Sequence, residues 1–396
     1  MKYIMLIGDG MADRKIANRG HKTPLQLAKT PNMDKLAKEG ECGMVKTLQP
    51  ELPKGSDVAI MSLLGYDPKK FYTGRGPLEA LNLGINLKTK EIAFRCNFVT
   101  VLDNKLIDYS GGHISLKEAK ILIEILQQKL GNNQFSFYAG LSYRNIMVVR
   151  RNLGILLDNL ETRPPHDVTG APLTDILPKG KSSAILRRIM QKSYELLKDH
   201  PINIKRQKRK ENPANMIWLW GEGEKPDLPS FYKEYGKKGA VISAVDIVKG
   251  IGKAIGMESI FVKNATGFLD TNYRGKVNAA IKAIKTKDFV LVHLEAPDEA
   301  GHLGNVNLKI KAIELFDKKI VGEILKYVLK SKDEYKIFVG CDHATPVMLK
   351  THTDEAIPFV IWGDKRNGCV SYDEIAISAS SLYFEKGYKL MEYFLK

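Results

Sequence analysis

The stretch FVLVHLEAPDEAGH, Phe289–His302, decides the fold. Its first half, Phe289–Leu294, is an apolar run of the length of a buried strand. Its second half places Asp298 and His302 four positions apart just beyond that strand. The carboxyl ends of strands are where open α/β sheets place their chemistry. Two other apolar runs end in the same way. Ile4–Ile7 leads into Gly8–Asp9–Gly10, and Ile337–Val339 leads into Asp342–His343. Three strand ends that offer Asp, Asp with His, and Asp with His point to a divalent metal site holding two ions.

The surrounding chain supports an α/β reading. Lys2–Ile7, Ala240–Ser243, Ser259–Lys263, Phe289–Leu294, Lys336–Val339 and Pro358–Trp362 read as strands. Helical patterns alternate with them at Asn32–Lys38, Val245–Ile255, Lys276–Ile284 and about Leu308–Leu329. Runs that are apolar along their whole length imply strands covered on both faces, hence a mostly parallel sheet with helices on both sides. The middle differs. Glu91–Leu102, Phe135–Tyr138 and Asn145–Arg150 read as strands around an amphipathic helix Leu116–Leu130. Gly180–Lys181–Ser182 reads as a junction before a helix Ser183–Leu197. The expected organisation is a discontinuous core domain, residues 1–85 and 182–396, interrupted by a smaller α+β insert at 86–181.

Composition narrows the function. At 396 residues the chain is long enough for two domains. No apolar run approaches the ~18 residues of a membrane span. The short run after Lys2 is ended at once by Asp9, which suits a first strand better than a signal peptide. A cytoplasmic location is therefore expected. The four cysteines are scattered, with no CxxC pair and no sign of a disulfide framework. Cys341, beside Asp342, reads as a small packed residue.

The formal net charge of +16 favours an anionic partner. The run Lys205–Arg206–Gln207–Lys208–Arg209–Lys210 invites nucleic acid, but it has no interleaved aromatics and no surrounding nucleic-acid module. It reads as a solvated basic surface. A small polyanionic substrate would benefit from the same positive field.

Lys54–Gly55–Ser56–Asp57–Val58 precedes a helical stretch Ala59–Leu64. A helix N-terminus favours a phosphate, through free N–H groups and the helix dipole. As an isolated feature, Ser56 or Asp57 is an N-cap. Beside metal donors, Ser56 becomes a nucleophile whose hydroxyl a cation activates. His352, nine residues after His343, completes the donor inventory of Asp9, Ser56, Asp298, His302, Asp342, His343 and His352. With no thiolate among them, Mn²⁺ or Mg²⁺ is favoured and Zn²⁺ stays open.

These segments carry a resemblance. GDGMAD (Gly8–Asp13), LPKGSDVA (Leu52–Ala59), LGYDP (Leu64–Pro68), YTGRGPLEA (Tyr72–Ala80), RCNFVTV (Arg95–Val101), GGHIS (Gly111–Ser115), HLEAPDEAGH (His293–His302), DHATPV (Asp342–Val347) and HTDEAIPF (His352–Phe359) span nearly the whole chain. The sequence resembles the archaeal type of cofactor-independent phosphoglycerate mutase, within the alkaline phosphatase superfamily. The resemblance implies an alkaline-phosphatase-like sheet domain with two divalent ions, Mn²⁺ first, with Mg²⁺, Co²⁺ or Zn²⁺ as alternatives. It implies no 2,3-bisphosphoglycerate cofactor.

By position, one ion falls to Asp9, Ser56, Asp342 and His343, and the other to Asp298, His302 and His352. Ser56 becomes the residue that carries the phosphoryl group. His113 and Arg144 match substrate-facing segments of the inserted domain, and Arg75, Arg95 and His166 are further candidates. Arginine suits carboxylate or phosphate through its planar fork. The implied reaction interconverts 3-phosphoglycerate and 2-phosphoglycerate through a phosphoserine. The insert would exclude water and hold the glycerate. The alternatives are a metal-dependent phosphomonoesterase using the same serine and, from another class, a basic nucleic-acid-binding protein. The expected partner is a small phosphoglycerate, with no nucleic acid and no membrane.

Overall fold

The strands, in chain order, are β1 (Lys2–Gly8), β2 (Glu41–Val45), β3 (Glu91–Leu102), β4 (Lys105–Asp108), β5 (Phe135–Leu141), β6 (Arg144–Arg150), β7 (Met216–Glu224), β8 (Gly239–Ile242), β9 (Glu258–Ser259), β10 (Phe289–Leu294), β11 (Tyr335–Gly340), β12 (Ile357–Trp362) and β13 (Tyr383–Phe384). This computed structural model describes residues 1–150 and 159–396. The chain divides into two units, one made of Met1–Tyr72 and Asp227–Lys396, the other of Thr73–Pro226.

The first unit is built on an eight-stranded sheet in the order β13-β2-β12-β11-β1-β10-β8-β9. β10 and β11 are buried at every residue, which requires cover on both faces. Each fully buried Val, Leu or Ile in them contributes roughly 1.5–3 kcal/mol. Neighbouring strands pair in parallel except where β12 runs against β11 and β2. The register brings three strand ends into line. Gly8 of β1 pairs with Leu294 of β10, and Ile7 pairs with Gly340 of β11. The residues that follow, Asp9, Asp298 and Asp342, therefore leave the same edge of the sheet.

Two expected elements are reshaped. The strand expected at Ser259–Lys263 shrinks to β9, Glu258–Ser259. The long helix is continuous over Val306–Val328, but Asp317–Val321 winds as a π-helix. There the Asp317 carboxylate accepts bonds from the Met33 N–H and the Asn32 side chain, which ties this turn to the helix Pro31–Glu39.

The second unit is α+β. β3 pairs antiparallel with β4, β6 and β7, and β5 extends the sheet beyond β6. The period of two divides β3. Ile92, Phe94, Cys96 and Phe98 enter one core with Leu122 and Leu126 of the helix Leu116–Leu130 and Leu186 and Met190 of the helix Ser183–Leu197. Ala93 packs on the other face with Ala80, Ile146 and Val148. This unit extends beyond residues 86–181 at both ends. It takes in the helix Arg75–Asn82, the helix Ser183–Leu197 and β7, because β7 completes the sheet beside β3 from far along the chain.

The basic run is exposed as expected at Lys205 and at Gln207, Lys208, Arg209 and Lys210, with one exception. Arg206 is not a solvated charge but 3% exposed. Its guanidinium donates to the carbonyls of Gly111, Gly112 and Asn212 and pairs with Glu118. Among the described residues no helix is long and apolar enough to cross a membrane.

Candidate functional site

Past the aligned ends of β1, β10 and β11, all seven expected donors gather. Asp9, Asp342 and His343 bring ligand atoms within 4.8 Å of one another, and so do Asp298, His343 and His352. His343 therefore reaches both groups, whereas the family resemblance places it with Asp9 alone. Its Nε2 lies 3.5 Å from Asp9 Oδ1, 3.5 Å from Asp342 Oδ2 and 3.1 Å from Ser56 Oγ.

Ser56 is itself the first residue of its helix, Ser56–Leu63. The N-cap is Gly55, which makes no side-chain cap bond. Asp57 instead accepts the Tyr72 hydroxyl at 2.7 Å. Asp57 also accepts the first-turn N–H of Val58 at 3.0 Å, so the helix start is satisfied without Ser56, whose hydroxyl faces His343.

The second group is tighter. His302 Nε2 lies 3.2 Å from Asp298 Oδ2 and 2.9 Å from His352 Nε2, and His352 Nε2 lies 3.5 Å from Asp298 Oδ1. Both rings are oriented from behind. His302 Nδ1–H donates to the Lys350 carbonyl and His352 Nδ1–H to the Lys54 carbonyl, so each turns its Nε2 inward. Burial alone would lower the His302 pKa, but hydrogen bonding and attraction to Asp298 overcome it and raise it to about 9. Burial and the charge of His302 would lower His352 as well, but the Asp298 carboxylate raises it too.

The electrostatics fit a cation. Burial, then the charges of Asp342 and Asp298, push the Asp9 carboxyl well above its ordinary range. Burial would also raise Asp342, but His343 and His293 hold it below its usual value. Two carboxyls buried this close repel when both are ionised, a cost that a cation between them removes. Asp9 Oδ1, Asp342 Oδ2 and His293 Nε2 are buried with no hydrogen-bond partner. Leaving such atoms unsatisfied costs about 1–3 kcal/mol each, which a divalent ion among them would relieve. Burial lowers the His343 pKa to about 4, so its imidazole is neutral and able to ligate.

The loops that carry these donors are pinned together. Lys309, 0% exposed, donates through Nζ to the Ala12 and Thr345 carbonyls and pairs with Asp13 at 2.8 Å. Asp13 also accepts the Val347 N–H. His293 escaped the sequence reading because it lies inside the apolar run of β10. Its Nε2 is 3.3 Å from Asp9 Oδ2. A fully buried histidine in an otherwise apolar strand was the available signal.

The five expected substrate residues lie in the second unit, and they also come together. Arg75 and Arg95 both pair with Glu79 Oε1, at 3.0 and 2.9 Å, and both stack over Trp220. His166 meets Trp220 and Tyr109 edge-on. Tyr109 meets His113 and Tyr143, and Arg144 lies over the Tyr143 ring. Burial, then the neighbouring charges of Arg75 and Arg144, hold the Arg95 pKa down to about 10 against the pull of Glu79. Arg95 Nε is buried without a hydrogen-bond partner. Two guanidiniums share the Glu79 carboxylate and the Arg144 charge acts on Arg95, a basic cluster of the kind that takes a carboxylate or phosphate. Trp220 and Tyr109 were missed, since aromatic residues in and beside strands read as core, and Glu79 was missed as an ordinary helix carboxylate.

Comparison with known proteins agrees with this chemistry. Residues 37–203 match the family model of 2,3-bisphosphoglycerate-independent phosphoglycerate mutase. The chain is 47% identical to the protein of that name from Methanosarcina barkeri, over 100% of both chains. It is 45% identical to a probable one from Geobacter sulfurreducens, again over 100% of both. Among solved structures, a protein of Pyrococcus horikoshii is similar at a TM-score of 0.83 with 29% identity, covering 100% of this chain and 97% of that one. The cofactor-independent phosphoglycerate mutase of Thermoplasma acidophilum is similar at a TM-score of 0.65 with 28% identity, covering 100% and 99%. The chain belongs to the 2,3-bisphosphoglycerate-independent phosphoglycerate mutase family.

Proposed function

We propose that this chain is an isomerase that interconverts 3-phosphoglycerate and 2-phosphoglycerate by lodging the phosphoryl group on Ser56, with no 2,3-bisphosphoglycerate primer. Asp9, Ser56, Asp342 and His343 hold one divalent ion, and Asp298, His302 and His352 hold the other. Oxygen and imidazole donors without thiolate favour Mn²⁺. When bound, the ions act as Lewis acids that acidify the Ser56 hydroxyl and neutralise phosphoryl oxygens.

Ser56 gives up its hydroxyl proton as Oγ attacks phosphorus, the bond from phosphorus to the substrate oxygen breaks, and that oxygen takes up a proton in turn to leave glycerate. The other glycerate hydroxyl then gives up its proton and attacks the phosphoserine, which restores Ser56. Arg75, Arg95 and Arg144, with His113 and His166, take the anionic groups of the substrate. A phosphorylated substrate does not cross membranes unaided, which supports a cytoplasmic site of action. Arg206, buried within the basic run, leaves that run less suited to nucleic acid.

The observation that carries the proposal is the Ser56 hydroxyl, spared from capping and 3.1 Å from the Nε2 of a neutral histidine that belongs to both donor groups. A coupled assay on 3-phosphoglycerate with Mn²⁺ and no primer tests it, with labelled phosphate followed in parallel. Label retained on glycerate is the expected result. Prompt release of inorganic phosphate would overturn the mutase in favour of a phosphomonoesterase.

A further inference from the structure

We propose that Thr345 is a positioning residue of the metal centre: its one hydroxyl holds His343 in the tautomer whose Nε2 is free for a cation, and fastens that ring to Asp298 of the other donor group. The assignment rests on the two-ion centre proposed above.

Thr345 Oγ1 lies 2.5 Å from Asp298 Oδ1 and 3.2 Å from His343 Nδ1. A hydroxyl has one proton to give, and an ionised carboxylate can only accept. The proton therefore goes to Asp298. Oγ1 then offers a lone pair to His343, so the proton of that imidazole sits on Nδ1 and Nε2 is left bare. Nε2 is the atom that faces Ser56, Asp9 and Asp342. His302 and His352 reach the same state by donating Nδ1–H to main-chain carbonyls. A carbonyl would orient His343 equally well, but only a hydroxyl can receive from His343 and pass a bond on to Asp298.

Thr345 has no freedom to do otherwise. Its side chain is 0% exposed. Its N–H donates to the Ala12 carbonyl at 3.2 Å, and its own carbonyl accepts Lys309 Nζ at 2.7 Å. Two glycines make room for it. A Cβ on Gly10, whose φ is +58°, would stand 2.5 Å from both Thr345 Oγ1 and Asp298 Oδ1. A Cβ on Gly301 would stand 2.6 Å from the Thr345 carbonyl and 2.8 Å from Cγ2. The backbone on both sides has been cleared for this one side chain.

Two measurements test the assignment on the full-length protein. Histidine ¹⁵N shifts in the metal-stripped wild type, with His343 identified by its loss in His343→Asn, read the tautomer directly. A proton on Nδ1 supports the role, and a proton on Nε2 overturns it. Titration calorimetry with Mn²⁺ then compares the wild type with Thr345→Val, which keeps the shape, and Thr345→Ser, which keeps the hydroxyl. Thr345→Val should lose about 10–100-fold in affinity for the ion that His343 ligates, the usual effect of removing such a partner. Thr345→Ser should restore most of it. Equal loss in both variants, or no loss in Thr345→Val, overturns the role. A wild type that takes up no Mn²⁺ overturns the two-ion centre instead, while the tautomer is still read independently.

Discussion

The two units face opposite electrostatic problems. The first gathers Asp9, Asp298 and Asp342 in a buried space and leaves oxygens without hydrogen atoms to accept. The second sets Arg75 and Arg95 on the Glu79 carboxylate, with the Arg144 charge acting on Arg95, and leaves Arg95 Nε without an acceptor. Each is unbalanced alone, one toward cations and one toward anions. A metal-dependent enzyme acting on a phosphorylated acid requires both imbalances. Variants of the first should fail in chemistry and ion binding, and variants of the second in substrate binding.

The sharpest test of that division is Ser56→Ala. Turnover should fall by about 10⁴-fold or more, as expected for removing a nucleophile. No labelled phosphoenzyme should be trapped, while Mn²⁺ affinity, read by calorimetry, should fall only modestly. Asp298→Asn should come next, with turnover down by roughly 10²–10³-fold and one ion lost, since an amide replaces a charged donor. Metal analysis of the purified variant checks the stoichiometry.

The first group was legible because its donors follow directly on apolar runs. A strand end and its chemistry sit within a few residues at Gly8–Asp9, Leu294–Asp298 and Gly340–Asp342. The second was not. Arg75, Arg95 and Arg144 come together only through the helix Arg75–Asn82 and the antiparallel pairing of β3 with β6. They were named through family resemblance, not through spacing. Trp220 had no such help, and β7 was invisible as part of the insert because its partner β3 is distant in sequence. His293 was hidden differently, inside a strand whose period announced only burial.

Arg144→Lys sharpens the comparison from the other side. Losing the planar fork should raise KM by about 10–30-fold, the equivalent of a charge-assisted hydrogen bond, with Mn²⁺ affinity unchanged. Steady-state kinetics beside calorimetry would separate the two, and a matched loss of metal would break the division of labour.

The smallest expected effect is in pH. In the metal-free protein His302 holds its proton up to about pH 9. An ion entering the Asp298 group must displace that proton, so affinity should rise with pH and level off above about 9. The sign follows because the free protein binds more protons than the loaded one below that pH. Calorimetry in buffers of different ionisation heat counts the proton released.

The three bonds of Lys309 have a consequence for ion choice. They clamp the segment after β1 and the segment after β11 to one buried ammonium before any ion arrives. A cage stiffened in this way pays little to order itself on loading, but it cannot breathe to suit its guest. Cations should therefore be sorted by radius as much as by charge, and a calcium-sized ion should seat poorly where a manganese-sized one is accepted.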